Sequence, residues 1–484
     1  MKYANPRYQV LKFGGTSVAS RSGWEAILEV VRRHRAAGDH PLVVCSAVSG
    51  VTDRLVALAD AAIAGGDPRP GLAEIARVHR RLARELDVDP RILDADEQSL
   101  STACKTAGVP PARARAEILA HGELISTRLG TAFLGRNGLA ASRLDARQLL
   151  RARDDGDRDE RYLSASCDPL PRDEMRAAFT ATRAEVVVTQ GFIAGTADGG
   201  TALLGRGGSD ASAAYLAAGI GAAGLVVWTD VPGVFTADPR PLPGARLVRR
   251  LSYSEAEAVG ALGAKVLHPR TIEPARLSGV PIRIGWTGRP DVEGTRIART
   301  VTPGGTKAIV SRKNLVLLAM WRPSSWQPIG FMAEVAARFA RFGLSMDLIA
   351  SSPSEIRATL DLAAFPTAAA DLDALCADLE QVCRPRIVSR VACVSAVGAG
   401  VPHDALAHMP PGTTLHLVSH AANGHHVSIV IDRDAEPEIV AVAHERLLAE
   451  AQDDSTFGAS WSELARPEVV EAPVTVPVPR EALG

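Results

Sequence analysis

Through roughly its first 300 residues the chain alternates short β-branched runs with longer stretches rich in Ala, Leu and Arg, the pattern of a parallel sheet covered by helices. Gln9 to Phe13 and Pro41 to Ala47 read as strands, and a helical region follows from Asp53 to about Gly130. Further strands are expected at Glu185 to Ile193, Gly224 to Asp230 and Val280 to Gly285, so this unit closes near residue 300. At 484 residues the chain exceeds one typical core, and two to four domains are expected.

Charge and cysteine usage narrow the function. A formal net charge of -1 provides no field for nucleic acid or an anionic membrane, which leaves small-molecule chemistry or protein partners. The six cysteines lack a second pair at metal-site spacing and several sit in apolar runs, so they read as reduced core residues. The polar start, Met1 to Arg7, followed at once by a strand, and the lack of a membrane-length apolar run point to a cytoplasmic location.

The stretch Val10-Leu-Lys-Phe-Gly-Gly-Thr-Ser17 places Lys12 at the end of an apolar strand with Gly14 and Gly15 directly after it. The glycines let the backbone turn and approach a ligand, and Thr16 or Ser17 can cap the helix that Trp24, Ile27, Val30 and Val31 continue. A helix N-terminus beside an ammonium favours phosphate, although an ordinary strand-to-helix connection would look similar in isolation.

Four more segments carry chemistry. Val44 to Asp53 leaves a strand and opens a helix, so Ser46, Ser49 and Thr52 face the same carboxyl end of the sheet as Lys12, where open parallel sheets bind ligands. His121-Gly-Glu-Leu-Ile-Ser-Thr127 puts Glu123 at a small-residue helix start, where it could receive a substrate ammonium or serve only as a helix N-terminal acid. Gly195 to Asp210 is dense in glycine ahead of the Ala-rich helix 211–218, an entropic cost that a ligand explains. Arg206 offers a planar fork for a carboxylate and Asp210 a partner for an ammonium, together an amino-acid grip. Trp228 to Arg240 reads as a nucleotide-side loop, and Lys265 can meet the phosphates opposite Lys12.

Other enzyme classes lack support. No G-x-x-x-x-G-K-[ST] string or G-x-S-x-G elbow occurs, and the one G-x-G-x-x-G match, Gly219 to Gly224, lies after a helix and before a strand, the reverse of a dinucleotide fingerprint. After Thr302 to Lys307 the pattern changes to compact β-α-β units, one with Leu344 to Ser352 and Ile356 to Asp361, another with Thr414 to His420 and His426 to Asp432. They read as a weak repeat and a paired regulatory module. The proline-punctuated stretch Arg466 to Arg480 favours an extended linker, so residues 451–484 are assigned to a tail.

The segments KFGGTSV, SAVSGVTD, GELIST, GRGGSDASAA, WTDVPGVFTADPR and GAKVLHPRTIEPA, in this order over residues 8 to 300, resemble the successive motifs of aspartate kinases. The resemblance implies an amino-acid-kinase α/β fold with two ferredoxin-like ACT domains behind it, moving the γ-phosphoryl group of MgATP onto the β-carboxylate of L-aspartate. Carried onto this chain, it makes Lys12 and Asp210 catalytic, and gives Ser46, Thr52, Glu123, Arg206 and Ser209 to aspartate. It gives Lys12, Gly14, Gly15, Ser17, Thr229, Asp230, Phe235, Arg240 and Lys265 to ATP, with Phe235 where the family often has tyrosine. No resident metal is implied beyond the Mg2+ of the nucleotide.

The second half resembles the paired ACT modules through which an end-product amino acid inhibits such kinases. The first module would span about 315–384 and be inserted into the second, about 301–314 plus 385–450. Met320, Gly330, Phe331, Met332, Ser345, Met346 and Asp347 fall on its effector-site segments, with lysine ahead of threonine as effector. The second module departs from the family at Gly398 to Gly412, where a longer helix is usual. A homodimer or higher oligomer is implied, as is a decarboxylase fused behind the kinase in some relatives. Two alternatives differ in class: a kinase of the same fold acting on glutamate or N-acetylglutamate, and a non-catalytic amino-acid sensor, which would lose Lys12.

Overall fold

The computed structural model describes residues 7–106, 110–154, 159–264, 266–299, 304–322, 329–362, 368–448 and 453–465. Its larger sheet has eight strands in the spatial order Ala141–Arg143, Val186–Gln190, His40–Cys45, Tyr8–Phe13, Gly224–Thr229, Ile282–Trp286, Thr295–Ala298 and Arg250–Ser252. Every neighbouring pair is parallel except the antiparallel pair of Ile282–Trp286 with Thr295–Ala298. The strand Tyr8–Phe13 lies centrally because its β-branched and aromatic residues are buried on both faces, with Val10, Leu11 and Phe13 fully inaccessible. The sequence direction therefore delivers the ends of the three central strands, at Phe13, Cys45 and Thr229, to one edge of the sheet.

Helices cover both faces. Trp24, Ile27 and Val31 of helix Arg21–Ala36 pack into one core, and the Ala-rich helix Gly208–Ile220 into the other. The region expected as one helical stretch from Asp53 is four helices, Val51–Ile63, Arg69–Glu85, Asp94–Lys105 and Pro111–Arg136. The strand expected over Glu185 to Ile193 breaks after Gln190, where Phe192 takes a φ of 67° and the chain reverses into Ile193–Gly195.

The second half forms a six-stranded antiparallel sheet built on two long strands, Gly305–Trp321 and Arg384–Ala399, paired along their length with an irregularity between Arg312 and Leu315. One end, with helices Phe331–Arg341 and Ala368–Leu379 and strands Ile349–Ser351 and Glu355–Leu360, completes a β-α-β-β-α-β unit. The other end adds strands Leu415–His420 and His426–Asp432 and helix Glu436–Leu448. No helix lies between Ala399 and Leu415, where the chain carries Pro402, Pro410 and Pro411 and runs irregularly. A buried ion pair, Lys307 Nζ to Glu255 Oε1 at 2.6 Å, ties this sheet to the helix Tyr253–Ala261 of the first half.

The assignment of 451–484 to a tail or linker is corrected for residues 453–465, which carry regular structure packed on the first half. Phe457–Ser460 pairs antiparallel with Arg246–Val248, and the short helix Trp461–Leu464 follows with a capping box of Ser460 and Glu463. Phe457 brings enough apolar surface to join the main core, which outweighs the extended bias of the prolines beyond it. Residues 466–484 lie outside the described residues. No described helix is long and apolar enough to cross a membrane, and all six cysteines are free thiols.

Candidate active site

Lys12 leaves the central strand with its ammonium 2.5 Å from Asp210 Oδ1, both side chains more than four-fifths buried. The Gly14 carbonyl accepts from Ser17 N at 3.0 Å, so Gly14 to Ser17 is a tight turn. The helix begins only at Arg21, capped by Ser20 rather than by Thr16 or Ser17. Gly15 is required because a Cβ there would lie 2.8 Å from the Ala47 carbonyl, while Ser49 N donates to the Gly15 carbonyl at 3.1 Å. The lysine loop and the Ser46 to Gly50 loop thus close against each other, with Ser46 and Thr52 half-buried beside them.

Glu123 sits in the middle of the 26-residue helix Pro111–Arg136, not at a helix start. Gly122 lets this helix approach, since a Cβ there would meet Ala47 Cβ at 2.7 Å. Glu123 Oε1 then accepts from Ala47 N at 3.0 Å, and Ser126 Oγ, on the same helix face, donates to the Ser46 carbonyl at 2.8 Å. Burial pushes the Glu123 carboxyl up to about 8, the amide of Ala47 opposing the shift only in part. A buried carboxyl poised this way gains an ammonium partner at little further desolvation cost.

In the glycine-rich segment Gly205 and Gly207 take φ values of 70° and 66°, and Gly207 caps helix Gly208–Ile220. Asp210 therefore lies in the first turn, where the helix dipole favours its charge. Ser209 packs against Gly191, where an added Cβ would lie 2.7 Å from Ser209 Cβ. Arg206 is exposed and has no ion-pair partner among the described residues. His268 was not singled out by the sequence, yet a Cβ on Gly207 would lie 2.4 Å from its Cγ. Burial depresses its basicity, as do Arg270 and Arg206, with Asp210 opposing. The His-Pro pair at the N-cap of helix Pro269–Ser278 was the available signal.

Among the residues expected to serve the nucleotide, Thr229 Oγ1 donates to Asp230 Oδ1 at 3.0 Å at the end of the strand Gly224–Thr229. Trp286 pairs with Thr229 across the sheet, and Thr287 Oγ1 lies 3.4 Å from Ser17 Oγ, joining this side to the lysine loop. Phe235 is buried, its ring edge-on to Trp461 at 5.7 Å. Arg240 is largely exposed and engages Asp238 at 2.9 Å rather than turning inward. Lys265 lies outside the described residues.

The effector candidates separate into two groups. Met320 and Phe331 are buried in the core of the β-α-β-β-α-β unit, with Met346 packed at its margin. Gly330, Met332, Ser345 and Asp347 reach the surface at the N-terminus of helix Phe331–Arg341 and the segment before Ile349. Asp347 Oδ2 meets Arg312 Nη1 at 2.9 Å, and burial raises its carboxyl against the pull of Arg312.

Comparisons with known proteins agree with this arrangement. The model of the amino acid kinase family matches residues 7–285. Lysine-sensitive aspartokinase 3 of Escherichia coli is 30% identical over 453 residues, spanning 90% of this chain and 98% of that one. Chloroplastic aspartokinase 3 of Arabidopsis thaliana is 28% identical over 90% of this chain and 80% of its own length. The crystal structure of E. coli aspartokinase III with aspartate and ADP superposes with a TM-score of 0.75 at 29% identity, covering 91% of this chain and 99% of that one. The same enzyme with lysine and aspartate gives 0.77 at 28% identity, over the same shares of both chains. With the motifs in order on one sheet edge and the match running through both halves, the chain belongs to the amino acid kinase family and, within it, to the aspartokinases.

Proposed function

We propose that this chain transfers the γ-phosphoryl group of ATP to the β-carboxylate of L-aspartate, giving 4-phospho-L-aspartate and ADP, and that lysine inhibits it through the second half. The observation that carries the reading is the Lys12–Asp210 pair at the sheet edge, whose loop packs through Gly15 on Ala47, the residue whose amide holds the buried Glu123 carboxyl. The acceptor carboxylate is already ionised at neutral pH, so the reaction needs alignment and charge neutralisation rather than a base.

Lys12 neutralises charge on the transferring phosphoryl group, and Asp210 holds its ammonium in place. Arg206 takes the α-carboxylate of aspartate as a planar fork, and Glu123, with Thr52, Ser46 and Ser209 nearby, receives its ammonium. The glycines at 14 and 15 leave backbone open to the phosphates, while Thr229, Asp230, Phe235, Arg240 and Lys265 serve the nucleotide. Mg2+ travels with ATP, and the exposed Asp230 is a hard-oxygen donor suited to it.

The named relative is lysine-sensitive, and the solved relative carries lysine with aspartate, which supports lysine as the effector here. The effector site is proposed at Gly330, Met332, Ser345 and Asp347, with Met320, Phe331 and Met346 forming its apolar floor, in an inserted first module of about 315–384. We also place the enzyme in the cytoplasm as a homodimer, joined through the second half where Ile349, Leu415 and Val418 are exposed on the outermost strands.

ADP release from MgATP, measured with L-aspartate and then with L-glutamate, each with and without lysine or threonine, tests the reading. Aspartate-dependent turnover suppressed by lysine is expected. Turnover with glutamate alone would reassign the substrate.

A further inference from the structure

The segment Phe457–Leu464 packs against the loop Asp230 to Arg246, which is assigned to ATP above. Trp461 N donates to the Ala245 carbonyl at 2.9 Å and Ser462 N to the Pro243 carbonyl at 3.0 Å, fixing the short helix against the loop Asp230 to Arg246. Arg246 Nε donates to the Gly458 carbonyl at 2.9 Å, and Arg289 Nη1 to the Leu464 carbonyl at 3.0 Å. These bonds clamp the Trp461 ring between two aromatic neighbours: Phe235 at 5.7 Å and 82°, and Trp286 at 6.1 Å and 34°. Arg289 lies over the outer face of Trp286 at 5.9 Å.

Each neighbour belongs to the nucleotide side by a separate route. Phe235 sits in the loop after Asp230, and Trp286 pairs with Thr229 and precedes Thr287, which reaches Ser17 of the lysine loop. The three rings adjoin in series, with Trp461 touching both of the others and Phe235 buried in the main core beneath it. Phe235 has no hydroxyl to anchor its ring, which is held by core packing and by the edge-to-face contact with Trp461.

We propose that Trp461 is a positioning residue for ATP, holding Phe235 and Trp286 as a wall for the purine base, so that the segment Phe457–Leu464 is part of the nucleotide site. The proposal rests on the assignment of Thr229, Asp230 and Phe235 to ATP. Loss of the middle ring frees both neighbours and removes aromatic packing worth about tenfold in affinity.

The test is steady-state kinetics of the full chain carrying Trp461→Ala or Trp461→Phe, with Asp230→Ala as a reference and thermal melting of each. Trp461→Ala is expected to raise KM for ATP about tenfold while kcat and KM for aspartate stay within about twofold, with Trp461→Phe recovering most of the loss. ADP should quench tryptophan fluorescence in the parent chain and, through Trp286, in Trp461→Phe, but much less in Trp461→Ala, where Trp286 has lost its neighbouring ring. If Asp230→Ala raises KM for ATP and Trp461→Ala does not, the proposal falls and the nucleotide assignment stands. If neither variant moves KM for ATP, both fall. A drop in melting temperature with equal increases in both KM values, unrescued by phenylalanine, would make Trp461 a structural anchor only and overturn the proposal.

Discussion

Lys12 Nζ and Asp210 Oδ1 stand 2.5 Å apart, joining the end of the central strand to the first turn of helix Gly208–Ile220. The contact holds the ammonium at the point where three parallel strands end, the position proposed above for neutralising charge on the transferring phosphoryl group. Lys12→Ala is therefore expected to lower kcat by about a thousandfold or more, with an unchanged circular dichroism spectrum and lysine still bound in calorimetry. Near-normal turnover would remove Lys12 from the mechanism.

Glu123 has its carboxyl raised to about 8 by burial, so in the free enzyme it is protonated through most of the neutral range. A substrate ammonium needs the ionised form, and KM for aspartate should fall as pH rises from 6 toward 8, by up to about tenfold per unit. Affinity for aspartate thus rises with pH while stability falls. The folded state holds this proton where an unfolded carboxyl has lost it, so stability is full below the usual carboxylate range and declines as pH rises through about 8. Glu123→Gln should raise KM and flatten both pH dependences. A KM for aspartate that keeps its slope in the variant would assign the ammonium to another group.

Gly130 faces Trp24 so closely that an added Cβ would lie 1.9 Å from Cη2 of the indole. Trp24 is fully buried and its Nε1 donates to the Val18 carbonyl at 3.1 Å, so the ring cannot swing away without losing that bond. Gly130→Ala should destabilise the chain by about 1–3 kcal/mol although alanine is the better helix former. A denaturation midpoint equal to that of the parent would mean the ring has room to move.

The chemistry-bearing loops were readable because each declares itself locally: a strand, then glycine and hydroxyl residues, then a helix. Glu123 was misplaced for a physical reason. Helix Pro111–Arg136 buries 17 of its 26 residues, so it carries no amphipathic stripe from which its true start at Pro111 could be inferred. The helix start was misjudged because Thr16, Ser17 and Ser20 are all competent caps, and the turn Gly14 to Ser17 decides among them. The contact of Gly207 with His268 and the docking of Trp461 near Phe235 depend on segments far apart in the chain, which no local pattern encodes.

Arg312 stands between the two halves. Its guanidinium binds Asp347 at 2.9 Å, and its stem presses on the turn before Lys265, where a Cβ on Gly263 would lie 2.4 Å from Arg312 Cγ. On the proposed effector site, an ammonium that engages Asp347 would compete with Arg312 for the same carboxylate, and a shift of Arg312 would reach the turn at Gly263, next to the residues proposed for ATP. Asp347→Asn removes the charge both partners want. It should raise the lysine concentration for half-inhibition by about tenfold or more while leaving the uninhibited maximal rate within about twofold, because Asp347 touches no reacting atom. Reciprocity adds a second readout: if lysine weakens ATP binding in the parent chain, ATP must weaken lysine binding by the same factor, and the variant should lose both effects together. Inhibition by lysine unchanged in Asp347→Asn would move the effector site away from this carboxylate and break the proposed line from Asp347 through Arg312 to the nucleotide.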